Sequence, residues 1–257
     1  MIKRINIAAS DLAKLTGDNK FDPVSKIVGK ILSSNKIENI YIPKSNLEEK
    51  LISLPEEELE KIREELQIPK TNVLDMVYAI NKKYVRESYS TKLTEEESKQ
   101  KLDSKMTDTM QQLNTCIKHD LRMRRGNFRE NKLLNKTQHT IGKKIGQRNS
   151  KLFQKILYTD PKGLFDINIR GKVDGICSDG IIEIKNRTKC LFMELRGYER
   201  VQLETYMFLS GLKKSTLVEY YNDESNQIEY EQSEEYWDEC KSKIVGFVEE
   251  HIAPRIK

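Results

Sequence analysis

Cysteine, histidine and tryptophan are scarce in this chain of 257 residues, which contains four, three and one of them. Cys116, Cys177, Cys190 and Cys240 are scattered without a Cys-x-x-Cys pair, so a reduced protein is expected. A lone pair such as Cys177 and Cys190 cannot hold a four-cysteine iron–sulfur cluster. His119, His139 and His251 lie far apart without metal-ligand spacing, which argues against histidine chemistry. Long apolar runs are missing too, and the N-terminus soon reaches Asp11 and Lys14, unlike a signal peptide. A soluble, intracellular protein that is not secreted and has no membrane partner is expected.

Charge, by contrast, is abundant. Charged residues make up 33% and the net charge is +5, so distribution matters more than sum. Between Lys118 and Lys155 a run of lysines and arginines, Arg125 and Arg129 among them, is opposed only by Asp120 and Glu130. Such a stretch is the electrostatic footprint of a polyanionic substrate, or a solvated helix face paired with acids elsewhere. The acids from Glu56 to Glu65 read as a solvated helix face and not as a metal site.

Ser10 stands in N-cap position before Leu12, Ala13 and Leu15; Gly17 ends that short helix and Asp22-Pro23 opens another. Ile37 to Ile42 is strand-like. Residues 45–115 form a helical insertion in which Ser45-x-x-Glu48 and Thr94-x-x-Glu97 are capping boxes. Strands are expected from Lys151 to Tyr158, Leu164 to Arg170, Ser215 to Tyr221 and Gln227 to Tyr230. Helices are expected from Glu194 to Gly211 and from Ser233 to His251. Strands flanked by helices imply an α/β core with a mixed sheet. Its two parts are residues 1–44 and 116–257, on either side of the insertion.

The chemistry concentrates between Gly171 and Lys189. Ser178-Asp179-Gly180, between two strand-like runs, marks a hairpin. Alternation along its second strand puts Glu183 and Lys185 on one face, Ile182 and Ile184 on the other. The hairpin returns that first face alongside Asp174. Two carboxylates and one ammonium then converge, a set suited to a divalent metal with a lysine beside an attacking water. An ordinary surface hairpin with a salt bridge is the plainer alternative.

Further motifs accompany the hairpin in order. Ile7-Ala-Ala-Ser10, Gly126-Asn-Phe-Arg-Glu130-Asn131, Val173-Asp174-Gly175 with Glu183-Ile-Lys185, and Gln202-Leu-Glu-Thr-Tyr206 together resemble the lambda exonuclease/YqaJ family of viral recombination nucleases, within the PD-(D/E)xK superfamily. The resemblance implies a restriction-endonuclease-like α/β core and a Mg²⁺-dependent exonuclease that degrades duplex DNA ends 5′ to 3′ in viral or phage recombination, repair or replication. It implies two Mg²⁺ ions, replaceable by Mn²⁺, with Asp174 bridging and Glu183 and the Ile184 carbonyl as further ligands. Glu130 would hold the second ion. Lys185, its pKa lowered by metal and burial, would orient or deprotonate the water. Gln202 would bond the nucleophile or the scissile phosphate, or else be a core-edge glutamine. Ser10 with Lys3 or Arg4 would hold a 5′-phosphate, while Arg125, Arg129 and Arg187 would meet the DNA backbone.

A strand-annealing protein and a homo-oligomer, a ring-shaped trimer in the family, are the implied partners. Two departures stand out: Val173 replaces the proline common before the aspartate, and the long insertion separates the opening motif from Glu130. A structure-specific endonuclease on the same core, or a catalytically silent DNA-end-binding module, are the competing readings.

Overall fold

A computed structural model describes residues 2–20, 22–89, 93–146 and 150–256, the side chains of residues 95, 125 and 127–131 excepted. Its contacts divide the chain into two units, Met1–Ile42 with Glu130–Lys257, and Pro43–Arg129.

The first unit is α/β. Its strands are β1 (Lys3–Ala8), β2 (Phe153–Thr159), β3 (Phe165–Gly171), β4 (Gly175–Cys177), β5 (Gly180–Asn186), β6 (Lys214–Tyr221) and β7 (Glu224–Glu231). They form two mixed sheets, ordered β1-β3-β2 and β4-β5-β6-β7. β3 lies between a parallel β1 and an antiparallel β2, while β5 lies between an antiparallel β4 and a parallel β6. Position in the sheet explains composition. The central β3 is buried through Phe165, Ile167 and Ile169, whereas β7, an edge, alternates exposed with half-buried residues.

Helices of this unit include α1 (Leu12–Leu15), α2 (Val24–Ser34) and the core helices α9 (Gly197–Ser210) and α10 (Glu234–His251). The main core joins Ile5, Ile7, Ile31, Leu32, Ile167 and Ile169 to Leu203, Met207, Trp237, Ile244 and Val248. Asparagines close one edge of it: Asn168 Nδ2 donates to Asn6 Oδ1 at 2.8 Å, and the Asn6 amide donates to Asn35 Oδ1 at 2.7 Å.

The second unit is helical: α3 (Asn46–Ile52), α4 (Glu56–Leu66), α5 (Val73–Ile80), α6 (Glu95–Asp103), α7 (Asp108–Gln111) and the first part of α8 (Asn114–Ile141). A π-helical stretch, Asn81–Arg86, continues α5. Leu51, Ile62, Met76, Ile80, Tyr84 and Leu113 fill its separate core. Thr94 and Glu97 form the expected capping box. Ser45 accepts from the Glu48 amide as expected, but the Glu48 carboxylate reaches back to the Lys44 amide, at 2.6 Å. The acids of α4 are exposed or half-exposed, as a solvated face should be.

One strand is additional to those expected, and two expectations fail. Lys3–Ala8 is the additional strand, because its alternating Ile5 and Ile7 find a parallel partner in β3. Ser10 sits exposed in a 3-10 turn, Ala9–Asp11, and caps nothing; the N-cap of α1 is Asp11. Ile37–Ile42 is irregular. Instead of joining a sheet it folds back on α2: the Ile37 amide donates to the Leu32 carbonyl, and Ile42 crowds the space a Cβ on Gly29 would need.

Candidate active site

β3 ends at Gly171, and the chain turns through Val173 and Asp174 into the β4–β5 hairpin. Gly175 is required there, since a Cβ would come within 2.3 Å of Ile145 Cγ2. The hairpin forms with the residue pairing Gly175↔Ile182 and Cys177↔Gly180. Asp174 is thereby folded against β5, where its Oδ2 accepts from the Ile184 amide at 2.8 Å. Ile184 thus meets Asp174 through its amide.

Alternation along β5 separates two environments. Ile182 and Ile184 pack with Leu134, Ile145, Val218 and Tyr220. Glu183 and Lys185 face the helix α9 (Gly197–Ser210), ended by Gly211 at φ 77°. Lys185 Nζ donates to Glu183 Oε1 at 2.7 Å and to Gln202 Oε1 at 2.9 Å. Gln202 Nε2 donates to the same Glu183 oxygen at 2.9 Å and lies 3.1 Å from the Tyr206 hydroxyl. Glu183 is 3% exposed, and its Oε2 has no hydrogen-bond partner among the described residues. An orphaned carboxylate oxygen in so dry a place costs roughly 1–3 kcal/mol or more, unless something cationic completes it.

Burial works to lower the Lys185 pKa, as expected, while contact with Glu183, with Asp174 and Glu199 beyond, holds it above the ordinary lysine value. The ammonium is therefore charged in this arrangement.

The remaining expected residues are scattered in different ways. Glu130, Arg125 and Arg129 have side chains outside the described residues, although all lie on α8. Leu134, one turn beyond Glu130, packs in the cluster beneath β5. Lys3 and Arg4 begin β1, whereas Ser10 follows its other end; from Arg4 to Ala8 the strand spans roughly 13 Å. Arg187 does not reach outward as a DNA clamp. Its side chain is only 10% exposed and is held by Glu199 and Glu219. All three are far apart in sequence or on different elements, so no local pattern announced the pairing.

Among the described residues no group of three or more His, Cys, Asp or Glu gathers as a metal cluster. The site offers two carboxylates, Asp174 and Glu183, both hard oxygen donors. No described helix is long and apolar enough to cross a membrane.

No family model matches this chain, and no curated protein sequence matches it. Among solved structures it is similar in part to an alkaline exonuclease, LHK-Exo, from Laribacter hongkongensis. The identity is 18%, over 52% of this chain and 70% of that one, with a TM-score of 0.41. LHK-Exo in complex with dAMP aligns at 15% identity over 64% of this chain and 84% of that one, TM-score 0.40. SSO0001 aligns at 16% identity over 50% and 61%, TM-score 0.38. At this degree of similarity the side chains, and not the likeness, bear on function.

Proposed function

We propose that the chain is a metal-dependent nuclease with a PD-(D/E)xK site, and that it acts as a DNA exonuclease on duplex ends. The observation that carries this reading is the convergence of Asp174, Glu183, Lys185 and Gln202, with one Glu183 oxygen buried and unpartnered. Oxygen donors of this kind fit Mg²⁺, which keeps several waters and needs few protein ligands. Asp174 and Glu183 would hold the ion, with the Ile184 carbonyl and Glu130 as further donors. When bound, a divalent ion supplies Lewis-acid polarisation of the phosphodiester and charge neutralisation.

The chain's own groups do the rest. Lys185, charged and held by Glu183 and Gln202, orients a water for in-line attack or stabilises negative charge on the phosphoryl oxygens. Gln202 donates through Nε2 to Glu183 and Tyr206 and accepts at Oε1 from Lys185, which leaves one Oε1 lone pair to accept from the attacking water. Exposed Lys132, Lys136, Lys144 and Lys151 supply attraction for a polyanion. A 5′-to-3′ direction, Mn²⁺ substitution, a recombination role in a virus or phage, an annealing partner and a homo-oligomer belong to the same proposal and rest on the motif resemblance. So does an intracellular place of action.

The test is incubation with Mg²⁺ and linear duplex labelled separately at its 5′ and 3′ ends, beside covalently closed circles. Early release of 5′ mononucleotides with circles intact is expected. Cut circles would replace the exonuclease with an endonuclease. End binding without cleavage in Mg²⁺ or Mn²⁺ would leave a silent binding module.

A further inference from the structure

Strand β5 and helix α9 are joined by two rungs. The upper one is Lys185 with Gln202, 2.9 Å apart. The lower one is Arg187 with Glu199, 2.7 Å apart. Pairing with β6 continues past the end of β5, since the Arg187 amide donates to the Tyr220 carbonyl. Arg187 therefore keeps the same face as Glu183 and Lys185. On α9, Glu199, Gln202 and Tyr206 share one side at helical spacing. Two residues along the strand match three back along the helix, so the elements run in opposite senses and the lower rung fixes the upper.

The lower rung is built with unusual care. Glu199 is fully buried, and Arg187 lies between it and a second fully buried acid, Glu219, at 2.6 Å. Glu219 also accepts from the Met193 amide at 3.0 Å and from Asn226 Nδ2 at 3.2 Å. The Phe192 ring stacks on the Arg187 guanidinium at 4.0 Å. Burying two carboxylates and a guanidinium is expensive where apolar packing would hold a helix to a sheet as well. What the ion pairs add is register: a planar guanidinium that donates through Nε to Glu219 has few orientations in which it also meets Glu199.

We infer that Arg187, with Glu199 and Glu219, is a positioning residue that sets the register of α9 on β5 and so holds Gln202 against Lys185 and Glu183. This rests on the nuclease reading for its catalytic consequence, though not for its geometry. It also replaces the expected DNA contact for Arg187 with a contact inside the protein.

The test compares the full-length wild type with Arg187→Lys and Glu199→Gln, both of which keep polar partners in the buried site. Steady-state cleavage of end-labelled duplex in Mg²⁺ should lose about 10- to 100-fold in kcat. KM, duplex affinity and its salt dependence should stay near wild type, and the unfolding midpoint of each variant is recorded alongside. A raised KM with a salt slope reduced by about one and unchanged kcat would overturn the inference in favour of a DNA clamp. Unchanged kcat and KM would overturn it outright.

A second readout does not need activity. The side-chain amide signals of Gln202, assigned by their loss in Gln202→Leu, should shift in both variants by NMR. Unmoved signals would defeat the inference even in a cleaving enzyme. An inactive wild type whose Gln202 signals nevertheless move would sink the nuclease reading and keep the register one.

Discussion

The two units handle charge in opposite ways. Among the described residues, the α/β unit buries Asp11, Asp166, Glu183, Glu199, Glu204 and Glu219, whereas the helical unit buries only Glu48 and Arg63 among its charged side chains. In the helical unit Glu48 caps a helix start, and Arg63 is met by Glu56 and Glu60 at 2.7 and 2.8 Å. Its other ion pairs, such as Lys61 with Glu58, lie at the surface, where each is worth little. That unit is held by its apolar core. The α/β unit instead places carboxylates where water cannot reach them and gives them specific partners. Buried charge is costly, so its concentration around β5 and α9 sets that region apart from one held by apolar packing, and the proposed site lies within it.

The sharpest way to break this contrast is at Lys185. Lys185→Ala or Asp174→Ala should lower the cleavage rate by about 10²–10⁴-fold while circular dichroism and duplex binding stay near wild type. Survival of cleavage in either variant would remove the site. Next comes the helical unit's core: Ile80, fully buried, should cost about 2–5 kcal/mol when changed to Ala. Urea unfolding measures that loss, and cleavage measured below the transition should hold its kcat. A parallel fall in kcat would mean the division of labour is wrong.

A smaller effect is expected at a helix end. Thr94 accepts from the Glu97 amide and Glu97 returns the bond at 2.6 Å, so Thr94→Ala should cost about 1 kcal/mol, read from the same urea curve. The gentlest probe is alkaline pH. Burial, followed by its hydrogen bond to Glu204 and offset by Arg200, pushes Tyr230 up to about 12 from an ordinary 10.0. The folded state then keeps a proton that the unfolded state gives up. Its stabilising contribution is complete below pH about 10 and is lost as pH rises through about 12. Stability of the wild type should decline across that window, and Tyr230→Phe should flatten the slope; equal slopes would contradict the upward shift that burial and Glu204 together impose.

Several features were legible from residue order alone. The β4–β5 hairpin follows from Ser178-Asp179-Gly180 between apolar runs, and the facing of Glu183 with Lys185 follows from strand alternation. Helix ends marked by Thr94, Ser45 and Gly211 fall where their local chemistry puts them. β1 was hidden because a six-residue strand beginning Lys-Arg looks like a charged terminus until β3 is there to pair with it. Ile37–Ile42 erred in the other direction, a strand-like composition that found α2 instead of a sheet edge.

Sequence by itself determined the periodicities, the turn and the residue types that can bind a hard cation, because these depend on neighbours within a few positions. Tertiary structure decided who meets whom. Asn168 finds Asn6 across 162 positions, and Arg187 finds Glu219 across 32. The same basic residue that looks free for DNA in a linear reading is drawn inward by two buried acids. Coulombic attraction in a dry interior outweighs what the local pattern suggests, and only the folded chain creates that interior.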